Sequence, residues 1–346
     1  MVTTGNFIKH YFRLIIAVKN LRAIFIVIMC VASVQLVLFQ LTFRMAPHCK
    51  ETFYRSLEDN LAVIENYPVG GAEQYLRLLG AFNTRPKELR TFPVFVTAFD
   101  DSHFNESQGL FKSIHEVFLS SKYRKRLMVI VYDLGIRPSN LLKLKKNCKC
   151  DVRRFQYEKF PPHVKRIHTY AFKPIIVQEI LMEFGFLWWM DTSVRLTTTD
   201  IKFVLSRAAR YGTLFTVSGN TKAVGTLTKH TLKATFDYLQ EDSCKFKSFH
   251  EIWATSLMFH INNVTRSVVK AWTTCALNEE CIAPPGSRII CNMELEIDGR
   301  CHRFDQSVFG IIIRRLFHDN DLPHHDRNLP QHIYSIRRKH FEHYFN

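Results

Sequence analysis

Residues 170–195 read YAFKPIIVQEILMEFGFLWWMDTSVR. Tyr170 to Phe184 places apolar side chains at helical spacing, and Gly185 stands where a helix C-terminus favours a residue that enters the left-handed region freely. Phe186 to Met190 (FLWWM) is short, apolar and aromatic-rich, the pattern of a strand buried on both faces. It delivers Asp191 straight into a polar turn, Thr192-Ser193-Val194-Arg195. A helix returning into a buried strand that ends on an acidic residue is one repeat of a β-α-β pattern, and the surrounding chain supplies the others.

Outward from this stretch, Phe92 to Phe99 and Leu127 to Tyr132 read as buried strands, and Asp151 to Tyr157 as a weaker one. Gln108 to Ser120 and Pro138 to Lys146 read as the intervening helices, with Pro138 suited to a first turn. Thr213 to Val217 and Ser256 to Ile261 are further strands, and Asp305 to Phe317 is the last helix. Strands alternating with helices predict an α/β domain with a mostly parallel sheet flanked by helices. Ligands of such sheets bind beyond the strands' carboxyl ends. Three segments stand there: Asp100-Asp101, Asp133-Leu134-Gly135 and Asp191 to Arg195. A carboxylate so placed can hold a metal, bind a ribose hydroxyl or move a proton; it can equally cap a helix or fix a turn. Arg195 can grip a phosphate with two parallel bonds, or pair back to Asp191.

Ala23 to Phe43 is 21 residues without a formal charge. As a helix it reaches about 30 Å, the depth of a bilayer's hydrocarbon core. It predicts a transmembrane signal anchor rather than a cleaved leader, whose apolar core is shorter. Lys9, Arg13, Lys19 and Arg22 precede it with no acidic residue, which favours a cytosolic N-terminus. Asn105-Glu106-Ser107 and Asn263-Val264-Thr265 are glycosylation acceptor motifs, and eight of the nine cysteines follow the span. Both suit an oxidising lumen. The expected organisation is a cytosolic tail (1–22), the anchor (23–43), a stem with some helix and no chemistry (44–90), and a lumenal domain (91–346).

Disulfides are the expected state of those cysteines, although Cys148-Lys149-Cys150 looks too tight for an ordinary mutual bridge. Zinc is the rival, but no C-x-x-C pair is present, and His163/His168 and His318/His324 lack cysteines to complete a site. A formal charge of +16 would suggest nucleic acid in a soluble protein. In the lumen it points instead to a phosphorylated donor or an acidic glycan. The run Lys143-Leu144-Lys145-Lys146 reads as a solvated basic helix face.

The combination of Val131-Tyr132-Asp133-Leu134-Gly135, Tyr170-Ala171-Phe172-Lys173-Pro174, Trp189-Met190-Asp191-Thr192-Ser193 and His302-Arg303-Phe304-Asp305-Gln306-Ser307 resembles a nematode-expanded family of type II membrane proteins. That family looks like a branch of the GT-A glycosyltransferases, and the resemblance covers about Thr91 to Phe317. It implies a Rossmann-like GT-A sheet in the Golgi or ER membrane, moving a sugar from a nucleotide-sugar donor to a glycan, protein or lipid acceptor. Many GT-A enzymes hold Mn2+ or Mg2+ on an Asp-x-Asp at a strand end. Asp191 takes the first acidic position and Ser193 replaces the second, which weakens the metal expectation and leaves Lys173 and Arg195 as alternative cations for the diphosphate. The resemblance further implies Asp305 as base or acceptor ligand, with Gln306 and His302 nearby. Tyr170 and Lys173 would begin a helix bordering the cleft, and Asp133 would face substrate. The rival expectation, motivated by Ser193, is a non-catalytic, membrane-anchored glycan-binding or structural protein on a degenerate transferase fold.

Overall fold

The computed structural model describes residues 28–35, 56–217, 225–317 and 333–345. The chain divides into two compact units, residues 1–51 and 52–346. The described part of the first is a helix, α1 (28–35), with exposed side chains. Most of the expected anchor, and all of the expected cytosolic tail, lie outside the described residues. No helix among the described residues is long and apolar enough to cross a membrane.

The second unit is built on a six-stranded sheet of order β3-β2-β1-β4-β7-β6. β1 (Val94–Phe99), β2 (Val129–Asp133), β3 (Asp151–Arg154) and β4 (Phe186–Met190) are parallel; β7 (Ile252–His260) runs antiparallel to β4, and β6 (Thr213–Val217) antiparallel to β7. All five residues of β4 are buried, because strict alternation feeds both faces of the sheet. Leu187 and Trp189 join an apolar cluster with α6 (Phe172–Phe184), α9 (Asn263–Ala276) and α11 (Asp305–Leu316). Phe186, Trp188 and Met190 join the opposite cluster with α4 (Phe104–Phe118), α5 (Pro138–Asn147) and α7 (Lys202–Tyr211). Gly185 ends α6 at φ +69°, the left-handed stop its position predicts.

The expected stem needs correcting. α2 (Leu57–Glu65) and α3 (Glu73–Leu78), joined through the break at Tyr67–Gly71, are part of the packed unit. Ile64, Tyr67 and Leu76 are buried in its core, and the Tyr67 hydroxyl donates to Glu241 at 2.7 Å. Glu241 also pairs with Arg315 of α11. The sequence hid this because apolar contact sites on short, isolated turns give little periodicity. The expected strand at 256–261 begins four residues earlier, and α9 is a helix the sequence reading passed over. Its valines and threonines favour strands, and burial of Val268, Val269 and Trp272 overrides that propensity.

Disulfides join Cys148 to Cys150, Cys275 to Cys281 and Cys291 to Cys301; Cys244 is also disulfide-bonded. The first corrects the expectation that Cys148-Lys149-Cys150 is too tight. Lys149 adopts φ +49°, and this left-handed kink leaves the flanking Cα atoms 5.2 Å apart, an ordinary bridging distance. The lysines at 143, 145 and 146 are exposed around a buried Leu144, as expected of a solvated helix face.

Arg195 is also corrected, by its surroundings. It sits in β5 (Val194–Leu196), which pairs antiparallel with β8 (Tyr334–Ile336) in a second, two-stranded sheet. Its guanidinium turns inward and is engaged by partners other than a phosphate or Asp191. It donates to Thr192 O (2.7 Å), Val194 O (3.0 Å), Glu106 O (3.0 Å) and His340 O (3.3 Å), and lies 3.5 Å from Glu342. Arg195 therefore ties α4, β5 and the C-terminal segment together. The space it fills exists because α4 carries Gly109: a Cβ there would meet Arg195 Nε at 2.3 Å. Gly109→Ala is expected to destabilise the fold by about 1–3 kcal/mol in chemical denaturation. An unchanged midpoint would mean that the guanidinium can move without loss.

Candidate active site

β1, β2 and β3 fill the sheet in one direction, and α6 then returns the chain so that β4 lies on the other side of β1. Connections leave β1 and β4 in opposite senses, and a crevice opens between their carboxyl ends. A cavity of about 270 Å³ occupies it, lined by Asp100 after β1, Asp191 after β4, and His103, Ser193, Arg338 and Lys339. A second cavity of about 400 Å³ lies on the β7 and α11 side, lined by Glu251, Trp253, Asp305 and Gln306. Tyr170, Lys173, Asp191 and Arg338 belong to both.

Lys173, in the first turn of α6, is the centre. Its ammonium lies 3.2 Å from Asp191 Oδ1 and 3.0 Å from Asp305 Oδ2, and donates to Ala254 O at 3.2 Å. The rings of Trp189 and Tyr170 face it at 5.4 and 5.8 Å. Burial works against its charge, but the two carboxylates outweigh that and hold it protonated, with its pKa raised. Asp305 is opposite in kind. Burial pushes its carboxyl up to about 6, the nearby Asp191 adds to that, and Lys173 opposes it. The Asp305 side chain is 5% exposed and that of Asp191 34%, so Asp191 is the carboxylate a ligand can reach. Trp189 Nε1 fixes Asp191 Oδ1 at 2.9 Å. Tyr170 (φ +54°) and Phe304 (φ +47°), immediately before α6 and α11, both take left-handed conformations that cost non-glycine residues energy.

A polar network backs the second cavity. Arg300 donates to His230 Nε2 at 3.0 Å; since arginine can only donate, Nδ1 carries the ring proton and gives it to Glu251 Oε2 at 2.9 Å. Gln306 Nε2 donates to the same oxygen at 2.9 Å. His230 also lies near the sulfurs of Cys291 and Cys301, the single potential metal-ligand cluster found among the described residues. Both cysteines are in a disulfide and both ring nitrogens are engaged, so that cluster is not a metal site.

The C-terminal segment completes the first cavity. After β8, Arg337 N donates to Ser193 O at 2.8 Å and Lys339 N to Glu106 Oε2 at 2.7 Å, and Thr192 donates to the other oxygen of Glu106 at 2.5 Å. Gln108 Oε1 accepts from Tyr344 N and Phe345 N at 2.7 and 2.8 Å. Arg338 and Lys339 are thereby laid along the cavity with exposed side chains.

Of the residues singled out in the sequence, Tyr170, Lys173, Asp191, Ser193, Asp305 and Gln306 meet at the two cavities. Asp133, Arg195 and His302 do not. Asp133 accepts from Gly135 N and Ile136 N at 2.8 and 2.7 Å, the turn-fixing alternative for a strand-end acid. His302 is buried behind the second cavity, accepting from Leu232 N and donating to Ile282 O; burial drops its pKa to about 4, so it is neutral. Glu251, His230, Trp253, Arg338 and Lys339 were missed. A run of basic residues near a chain end carries no local sign of a site, and only the β5–β8 pairing puts it there.

A family described as "Protein of unknown function (DUF1647)" matches residues 79–178. No curated protein matches the sequence. Solved structures similar to the chain include the bifunctional glycosyltransferase WbbM in its apo form, at 9% identity and TM-score 0.38 over 65% of this chain and 37% of that one. Core-mannan synthase A of Aspergillus fumigatus in its Mn/GDP form is similar at 9% identity and TM-score 0.36, over 67% of this chain and 73% of that one. The mannosyltransferase Ktr4p of S. cerevisiae is similar at 8% identity and TM-score 0.37, over 77% of each chain. The chain spans little more than a third of WbbM. Each is a likeness of fold.

Replacing Lys173 by Met strands two carboxylates in a largely buried site and is expected to cost about 3–5 kcal/mol at pH 7.5. Asp305 titrates near 6 folded against about 3.9 unfolded. Between those values the fold holds a proton the unfolded chain has released, so this group's contribution favours the fold at low pH and is lost as pH rises through 6. The Lys173→Met deficit in urea denaturation should therefore shrink from pH 7.5 to pH 5. A pH-independent deficit would remove Asp305 from the account.

Proposed function

We propose that the protein is a glycosyltransferase that moves a sugar from a nucleotide-sugar donor to a hydroxyl of a glycan, protein or lipid acceptor. The observation that carries this is the solvent-accessible Asp191 carboxylate, fixed by Lys173 and Trp189 where two cavities meet. The donor occupies the β1/β4 crevice, its ribose end toward Asp100 and its diphosphate beside Arg338 and Lys339. The acceptor occupies the second cavity.

Sugar transfer passes through an oxocarbenium-like centre and releases a diphosphate, whose charge must be stabilised. The residues present fit a divalent cation poorly. Asp191 has Ser193 rather than a second acid two residues on, and its Oδ1 already accepts from Trp189 and faces the Lys173 ammonium; Asp100 across the cavity is engaged by Ser102 and His103. An octahedral cation asks for more oxygen ligands than that. Arg338 and Lys339 take the leaving-group role that the sequence reading gave to Lys173 and Arg195; Lys173 is held by its two carboxylates, and Arg195 points away. Asp191 takes the proton from the acceptor hydroxyl. Asp305 acts through Lys173, setting the position of Asp191.

The uncharged Ala23–Phe43 stretch, the disulfides, and Asn105 and Asn263 exposed on the first turns of α4 and α9 support a type II anchor with this domain in the Golgi or ER lumen. Burial of the Asp305 pair with Lys173 favours a second reading, a glycan-binding protein on a degenerate transferase fold.

Residues 44–346 are expected to gain thermal stability with one nucleotide sugar, with or without Mn2+; a ligand at about 100 times its Kd adds about 2.7 kcal/mol. Alanine at Arg338 and Lys339 together should weaken nucleoside diphosphate binding at least about tenfold, since a charge-assisted bond contributes about 1.5–3 kcal/mol. Asp191→Asn should retain donor binding and lose transfer. A shift that needs Mn2+ would overturn the cationic account, and no shift from folded protein would favour the glycan-binding reading.

A further inference from the structure

The second cavity has an apolar outer lip. Residues 289–297 include five large apolar side chains at the surface: Ile289, Ile290, Met293, Leu295 and Ile297, from 37% to 80% exposed. Ile289 and Met293 line the cavity itself, opposite Trp253. The segment is held firmly in this exposed arrangement. The Cys291–Cys301 disulfide closes its base, Arg300 donates to Met293 O and Leu295 O at 3.3 and 3.1 Å, and Gly299 N donates to Thr228 O at 2.9 Å. Of the acidic residues interleaved with the apolar ones, Glu296 pairs with Lys229 and Asp298 with Thr228 and Lys247, while Glu294 is exposed. Rigid, clustered apolar exposure at the mouth of a polar cavity marks a binding surface.

We propose that the acceptor is a lipid-linked sugar, its hydroxyl end in the second cavity toward Asp191 and its hydrocarbon chain lying on the 289–297 lip. This rests on the transferase reading for the reaction, and on the lip alone for the ligand class. The continuity of the lip with the cavity commits the surface to the tail of the molecule whose head is inside.

The test uses residues 44–346, which contain the compact unit, and matched methyl and octyl glycosides of glucose, galactose, mannose and N-acetylglucosamine. Octyl compounds stay below their micelle threshold, and binding is read by quenching of tryptophan fluorescence, with Trp253 in the cavity. At least one octyl glycoside should bind about tenfold or more tighter than its methyl partner, the effect of about two buried methylenes. The exposed double substitution Ile290→Ser and Met293→Ser should reduce that preference below about threefold without changing nucleoside diphosphate binding. Equal binding of each methyl and octyl pair would overturn the proposal, as would a preference that survives the substitutions. Flotation with phosphatidylcholine vesicles without any monomer preference would assign the lip to a bilayer surface, and a concentration-dependent dimer abolished by the substitutions would assign it to a second copy; either overturns it. Octyl preference without any donor binding would uphold the lip and sink the transferase reading, whereas donor-dependent transfer to methyl and octyl acceptors at equal rates would do the reverse.

Discussion

A single buried ammonium shared by two carboxylates sets the geometry of this molecule's centre. Lys173 comes from α6, Asp191 from the end of β4, Asp305 from the start of α11, and Ala254 O from β7. Removed from water, neither the ammonium nor the Asp305 carboxylate is tolerable alone, and with Asp191 they hold four elements in one arrangement. The cluster carries one net negative charge, and Asp191 presents it to solvent. Tyr170 and Phe304, which precede α6 and α11, hold positive-φ conformations on both sides of this contact.

Around this centre the fold divides its labour between a rigid sheet and an applied edge. The β1/β4 crevice follows from strand order, so its position is a property of the chain's winding. The cations that line it come from a segment more than 140 residues further on, fastened by the pairing of β5 with β8 and by the buried Glu106, Gln108 and Arg195. Arg195 illustrates the difference between a residue type and its use. Its planar fork suits a phosphate, yet here it serves four backbone carbonyls.

What was legible in the sequence followed from local pattern. Short apolar runs, helical spacing and glycine placement located β1, β2, β4, β6, α5, α6 and α11 to within a few residues, and the FLWWM strand led to Asp191, which lines both cavities. Lys173, Tyr170, Asp305 and Gln306 entered through the resemblance of combined motifs, because no single one of them is distinctive. What remained hidden was non-local. Asp133 and Asp191 look alike as strand-end acids, and only three-dimensional neighbours decide that one fixes a turn while the other faces a cavity. Lys149 shows the same for covalent geometry, since a left-handed residue makes a two-residue bridge possible. Arg338, Lys339 and Glu251 gave no sign at all, their significance being created by distant pairing.

The dependence on β8 has a consequence for biosynthesis. The sheet can assemble once β7 has been made, but the first cavity lacks its cationic wall until β8 pairs with β5 and, within residues 334–345, Phe345 seats itself among Phe104 and Phe111. Those residues follow β7 by more than 70 positions, so they are made after every strand of the large sheet. A growing chain can therefore carry a formed sheet while the cavity beside it still lacks Arg338 and Lys339.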